Sequence, residues 1–138
     1  MLVLTVLTAC KKNNFNTEPT LTLKSVSDKV VPSNGGLNIV FELTDKEGDI
    51  SDTLFIKKIR TNLRPVAPSQ DLGRDSLTYP IPEVVNTRKV LLQLDLNYSQ
   101  LISTSRNEPD SLTIQFWIQD KAKNKSNVFE LKEVVVIK

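Results

Sequence analysis

The sequence predicts an all-β protein made of antiparallel strands, and three observations lead to this fold class. Apolar and polar residues alternate along several segments, turn-forming residues separate those segments, and no window repeats apolar residues at helical spacing. Seven prolines also disfavour long helices. With 138 residues, 39% of them hydrophobic and 25% charged, the chain has the size and composition of one globular domain.

The alternation marks seven strands, and each ends at a turn or a charged segment. Pro80 and Pro82 confine the fourth strand to the edge of a sheet. In the last strand the alternation slips near Lys132 and Glu133, which predicts a β-bulge. A short turn at residues 99–103 is the one helical element expected. The seven predicted strands cover residues 20–26, 37–43, 54–59, 76–81, 89–98, 111–119 and 128–137.

The number and spacing of these strands predict an antiparallel, immunoglobulin-like β-sandwich of about seven strands, formed by residues 20–138. Such a sandwich needs about 100 residues, so one connection is longer than the fold requires. The excess lies in residues 61–75, which contain Pro65, Pro68 and Gly73. This loop either has a function or simply spans from one sheet to the other.

Residues 1–9 have the features of a signal peptide. The run is apolar and uncharged, and it is far shorter than the roughly 20 residues that cross a bilayer as a helix. It ends in Leu7-Thr8-Ala9-Cys10, which resembles a bacterial lipobox; the resemblance implies cleavage before Cys10 and acyl chains on that residue. No basic residue precedes the run, so we expect the true start to lie upstream. The alternative is an N-terminal strand with a free thiol.

Residues 10–19 are interpreted as the lipidated cysteine followed by a flexible tether, because they are polar and end at a proline. Lys11 and Lys12 either contact anionic headgroups or are solvated. Some Bacteroidota lipoproteins carry an acidic run at this position that resembles a surface-export signal. The two lysines therefore favour a lipid anchor in the outer membrane with the domain facing the periplasm.

The composition excludes several kinds of chemistry. The chain has no histidine, which removes Ser-His-Asp catalysis and histidine-based zinc sites. A single cysteine excludes an intrachain disulfide and a CxxC metal site. Lys and Arg total 18 against 16 Asp and Glu, and this balance does not predict a nucleic-acid partner. We therefore expect a protein that is not an enzyme.

An acidic turn follows the second predicted strand. Asp45, Glu47 and Asp49 alternate there, so their side chains share one side of an extended segment, and Gly48 permits a sharp turn. Calcium takes six to eight oxygen ligands in flexible geometry, which such a turn could supply. The segment is not an EF-hand, because its sixth position is Ile50 rather than glycine. The alternative is a solvated hairpin turn, which uses the same residue types.

Two turns together resemble those of small Ig-like or cadherin-like domains in Bacteroidota lipoproteins and adhesins. Those domains carry Thr-Asp-x-Asp-Gly-Asp after one strand and Val-x-Asp-x-Ala-Gly-Asn-x-Ser before the last. The first pattern is matched by the acidic turn, and the second by Asp120, Ala122, Asn124 and Ser126. The resemblance implies a calcium site made of Asp45, Glu47, Asp49 and Asp120, and we expect no other cofactor.

The leading hypothesis is a lipid-anchored binding or structural module of the bacterial cell envelope, whose partner is another envelope protein or a glycan. One alternative is a carbohydrate-binding lipoprotein that uses Trp117, Tyr79 or Tyr98, since an outward aromatic ring stacks on sugars; the competing interpretation is a packed Trp117. Another is a calcium-stabilised, adhesin-like domain. A hydrolase using Asp45, Asp49 or Asp120 would need a deep pocket around two of them.

Overall fold

The computed structural model describes residues 18–84 and 86–138 of the chain. This part contains eight strands and two short helical turns, joined by loops. Helix α1 (Tyr98–Leu101) and a 3-10 turn (Pro68–Gln70) are the helical elements of this part. The strands are β1 (Thr20–Val26), β2 (Val30–Val31), β3 (Gly36–Thr44), β4 (Thr53–Arg60), β5 (Ser76–Pro80), β6 (Lys89–Asn97), β7 (Asp110–Gln119) and β8 (Phe129–Val136). The predicted signal peptide and Cys10 lie outside the described residues.

The strands form two sheets, in the orders β1-β3-β6 and β2-β8-β7-β4-β5. All neighbours are antiparallel except β2 and β8. This arrangement confirms the predicted all-β, immunoglobulin-like sandwich. Strand β2 was not predicted, because two residues are too few to show alternation. Strand β5 lies at the edge of its sheet, as its prolines indicated.

The core lies between the two sheets and is lined by the predicted inward faces of the strands. Phe41 of β3 packs on Phe116 of β7 and on Phe129 of β8, with ring centroids 5.1 and 5.6 Å apart. These contacts cross from one sheet to the other and therefore hold the two layers together. The inward residues of β3, β4 and β7 that alternation predicted are buried: Leu37, Ile39, Phe41, Leu43, Leu54, Ile56, Leu112, Ile114, Phe116 and Ile118.

The predicted bulge in the last strand is confirmed. Leu112 pairs with Val134 and Ile114 with Leu131, so two residues of β8 lie opposite one residue of β7. Glu133, one of those two residues, has a φ of 61°. The extra residue shifts the inward face of β8 by one position, which is the phase change seen in the sequence.

The loop 61–75 does not span the two sheets. It connects β4 to β5, which are hydrogen-bonded neighbours in the same sheet, so the expectation of a crossing between sheets is wrong. The loop is instead a long hairpin connection that folds across the end of the sandwich. Asn62 Nδ2 donates to Pro109 O at 3.0 Å, and Arg106 Nη1 donates to Pro65 O at 2.8 Å.

The strand directions give the sandwich two distinct ends. Loops 45–52 and 120–128 lie at one end, here named the acidic end, and β1 starts beside them because Thr20 pairs with Thr44. Loops 61–75 and 98–109 lie at the other, here named the loop end. Strand β7 runs from one end to the other, a length of about 30 Å for ten residues. Within residues 18–84 and 86–138, no helix is long and apolar enough to cross a bilayer.

Candidate functional site

Three aspartates from two loops come together at the acidic end. Asp45 follows β3, Asp49 lies four residues further along the same loop, and Asp120 follows β7. One carboxylate oxygen of each residue lies within 4.8 Å of the other two. Asp45 and Asp120 are buried, and Asp49 is half-buried. Because β3 and β7 belong to different sheets, this acidic cluster lies where the two layers meet.

The loop 45–52 forms around the carboxylate of Asp45. Its Oδ1 accepts a hydrogen bond from Glu47 N at 3.3 Å, and its Oδ2 accepts one from Asp49 N at 3.2 Å. Gly48, with a φ of 76°, makes the turn between them. Asp45 therefore organises the turn and faces the cluster. The side chain of Glu47 is exposed and does not join the three aspartates.

The second loop forms around the carboxylate of Asp120. Asn124 binds it twice, through its backbone N at 2.8 Å and its side-chain Nδ2 at 3.0 Å. Ser126 Oγ accepts a hydrogen bond from Ile118 N at 2.9 Å and closes the loop against β7. The two loops are joined by a hydrogen bond of 3.2 Å from Lys121 N to Asp49 O.

The negative charge of the acidic cluster is not neutralised by a neighbouring lysine. The ion pairs found within residues 18–84 and 86–138 include none of the three aspartates. Instead, Lys121 pairs with Glu83, Lys123 with Asp52, and Lys125 lies 4.9 Å from the ring centroid of Trp117. The lysines of the second loop are therefore bound elsewhere.

Asp49 carries the electrostatic strain of the cluster. The adjacent Asp45 carboxylate, partial burial and the charge of Asp120 raise the pKa of Asp49 from 3.8 to about 6. Its Oδ1 is buried and has no hydrogen-bond partner within residues 18–84 and 86–138. A buried acceptor without a donor is costly, so this atom is suited to a cation or a proton.

Asp45 also borders an open cavity of about 290 Å³ whose other lining residues include Lys46 and Arg88. Asp49 and Asp120 do not line this cavity. Among the described residues, this cavity is therefore bordered by one of the three carboxylates and not by the cluster as a whole.

Trp117 lies on the outer face of its sheet and is half-buried. Its ring stacks on Phe55, at a centroid distance of 5.4 Å and an interplanar angle of 5°. Lys125 also lies over the ring. These two contacts occupy ring surface that a sugar would need. Tyr79 and Tyr98 are half-buried and pack against the core.

The sequence analysis missed a group of buried charges at the loop end. Lys58 is 2% exposed, and its Nζ donates to Leu101 O and Ile102 O at 3.2 and 3.1 Å. Burial lowers the pKa of this lysine to about 8. Its position was readable from the pattern, because Lys58 continues the inward alternation of Leu54 and Ile56.

Asp110 is the fully buried acid of this group. Its carboxylate accepts hydrogen bonds from Ser103 N and Thr104 N and forms ion pairs with Arg60 and Lys138, at 3.2 and 3.0 Å. Burial alone would raise the pKa of Asp110, but these hydrogen bonds outweigh it and keep the pKa below its usual value. Asp110 therefore holds segment 103–104 against β7.

The chain shows no significant match to protein-family models, to curated proteins or to solved structures. The function is therefore inferred from the residues of this chain.

Proposed function

We propose that the protein is a lipid-anchored binding or structural module of the bacterial cell envelope and has no catalytic activity. The observation that carries this proposal is the Leu7-Thr8-Ala9-Cys10 sequence at the end of an apolar run, ahead of a polar tether and an immunoglobulin-like sandwich. Cys10 itself lies outside the described residues. The anchor is placed in the outer membrane, with the domain facing the periplasm.

The geometry of the domain supports this role. The tether joins the sandwich at Thr20, which lies at the acidic end, so the loop end points away from the anchored terminus. Two or three acyl chains, at about 0.8 kcal/mol per buried methylene, hold a protein on a membrane on which one chain would be marginal. A sandwich held in this way presents its distal loops to partners in the envelope.

Cell fractionation tests the anchor. The protein expressed from its native gene is expected in the membrane fraction, and Cys10→Ser is expected to move it to the soluble fraction. A variant with Lys11→Ser and Lys12→Ser is the control, because it retains the cysteine and removes the charges that could attract headgroups. Membrane retention of Cys10→Ser together with release of the lysine variant would contradict a lipid anchor.

We also propose that the acidic cluster holds a calcium ion that stabilises the fold. Three carboxylates converge there without a counter-ion among the described residues, and the buried Asp49 Oδ1 has no hydrogen-bond partner. Hard oxygen donors of this kind suit calcium. The ion would be held by Asp45, Asp49 and Asp120. It would link the two loops and offset the repulsion between their carboxylates.

Calorimetric titration of the EDTA-treated full chain with CaCl₂ tests this site. Saturable heat and a rise in melting temperature are expected for the wild type, since a ligand of the folded state stabilises it. Asp49→Asn and Asp120→Asn are expected to lose the heat, whereas Glu47→Gln, an exposed acid of the same loop, retains it. The proposal fails if millimolar calcium gives neither heat nor a melting shift.

A further inference from the structure

We propose that a cavity at the loop end binds a neutral ligand rich in hydroxyl groups, of the size of a disaccharide or smaller. The cavity lies between the end of β4, the loop 61–75 and segment 103–104, and its volume is about 400 Å³. Sites for small molecules have volumes of roughly 300–1,000 Å³, so this cavity suits a small ligand. The site goes beyond the anchor and the calcium site, since both belong to the opposite end of the molecule.

The walls of the cavity are fixed by backbone hydrogen bonds. Leu72 N donates to Ser103 O at 3.0 Å, and Lys58 N donates to Asp75 O at 2.7 Å. Asp71 also forms an isolated bridge with Thr104. These bonds tie the long loop both to β4 and to the segment that follows α1. The cavity is therefore formed before a ligand arrives, which lowers the entropic cost of binding.

Two residues that line this cavity carry buried hydrogen-bonding groups with unused capacity. Ser103 is 3% exposed, and its buried Oγ has no hydrogen-bond partner in the described part of the chain. Lys58 gives two of its three ammonium protons to carbonyl oxygens, those of Leu101 and Ile102. A ligand hydroxyl could exchange hydrogen bonds with Ser103 and accept one from Lys58. The orphaned serine hydroxyl is the observation that points to a ligand, because a buried polar group without a partner is costly.

The charges around the cavity favour a neutral ligand. Asp71 and Asp75 line it, and neither takes part in the ion pairs found among the described residues. Lys57, Lys58 and Arg60 line it as well, and Arg60 is already paired with acidic side chains outside the lining. The carboxylates repel an anion and the ammonium groups repel a cation. A molecule with many hydroxyls satisfies both sets, since it donates to the carboxylates and accepts from the lysines.

The rest of the lining matches the apolar side of a sugar ring. Ile59 and Val66 contribute aliphatic surface beside the polar groups, a combination typical of sites that bind small molecules. This cavity, rather than the occupied face of Trp117, is where we place a glycan contact. The loop end also lies away from the start of β1, so an anchored protein leaves it accessible.

Saturation-transfer NMR of the full chain in detergent tests the proposal, with maltose, cellobiose and N,N′-diacetylchitobiose as neutral probes. Glucosamine and glucuronic acid serve as cationic and anionic comparators. At least one disaccharide is expected to give a saturable signal at roughly 10 mM, because this concentration exceeds the Kd of a weak site. Both charged comparators are expected to bind more weakly.

Variants locate the binding. Asp75→Asn removes a charged acceptor and is expected to raise the Kd about tenfold or more. Ser103→Ala removes the orphaned hydroxyl and is expected to raise the Kd roughly threefold to tenfold. The matched control is Ser51→Ala, which removes another buried and unpartnered hydroxyl at the acidic end and leaves the Kd unchanged. Melting curves verify that each variant is folded.

Three results would overturn the proposal: no signal from any of the disaccharides, stronger binding of a charged comparator, or binding that survives both Asp75→Asn and Ser103→Ala. Loss of that surviving binding in Trp117→Ala would place the ligand on the outer face of the sheet instead. The anchor is tested separately by fractionation of Cys10→Ser, so failure of one proposal is distinguishable from failure of the other.

Discussion

Replacing Lys58 with methionine should change how the stability of the protein depends on pH. Burial lowers the pKa of Lys58 from 10.5 to about 8 in the folded state. The unfolded protein therefore binds more protons than the folded one between about pH 8 and 10.5, so the free energy of unfolding rises with pH in that window. At 1.36 kcal/mol per pKa unit the whole effect is about 3 kcal/mol, of which about 2 kcal/mol falls between pH 7 and pH 9.5.

Urea unfolding followed by the fluorescence of Trp117 measures this difference. We expect the wild type to gain about 2 kcal/mol more than Lys58→Met between pH 7 and pH 9.5, a shift of roughly 1 M in the midpoint. Methionine retains a long flexible chain without a titratable group. The control is Lys57→Met, since this neighbouring lysine is exposed. An equal gain in the wild type and Lys58→Met would refute the assignment of a buried charge.

Three further predictions concern the two ends of the sandwich. Asp49→Asn should raise the melting temperature of the EDTA-treated protein at about pH 7, because it removes a carboxylate that is ionised at this pH at a cost to the folded state. The gain should shrink below about pH 6, where the wild-type carboxyl group takes up a proton. Equal behaviour of Glu47→Gln would contradict this. Asp110→Ala should lower the free energy of unfolding by about 3–5 kcal/mol, because two cationic side chains lose a buried partner; a loss under about 1 kcal/mol in urea unfolding would argue against it. Asn127→Ala should cost about 1–2 kcal/mol, because its side chain makes two hydrogen bonds to the backbone of Leu21, at 2.8 and 2.9 Å; unchanged hydrogen exchange at the Leu21 amide would contradict this.

The strands were predictable because each long one is half-buried. One face of β3, β4 and β7 meets the core and the other meets solvent, and this alternation is visible in the sequence without further information. Even the bulge in β8 was visible in the sequence, as a slip in the alternation of apolar and polar residues. Strand β2 was not visible, since two residues are too few to show alternation.

The candidate site was only partly predictable, because side chains in a loop do not follow strand alternation. Spacing placed Glu47 beside Asp45 and Asp49, but the turn at Gly48 directs the Glu47 side chain to solvent. The position of Asp120 came from the resemblance of the second turn. The inward position of Lys58 was readable from the alternation of β4, but its carbonyl partners, more than 40 residues away, were not.

Mass spectrometry of the N-terminal peptide, from protein expressed from its native gene, tests the central claim most directly. The account predicts a mature chain that begins at Cys10, with a diacylglycerol thioether on the sulfur and an acyl chain on the amine. A peptide in which residues 1–9 remain joined to an unmodified Cys10 would contradict it.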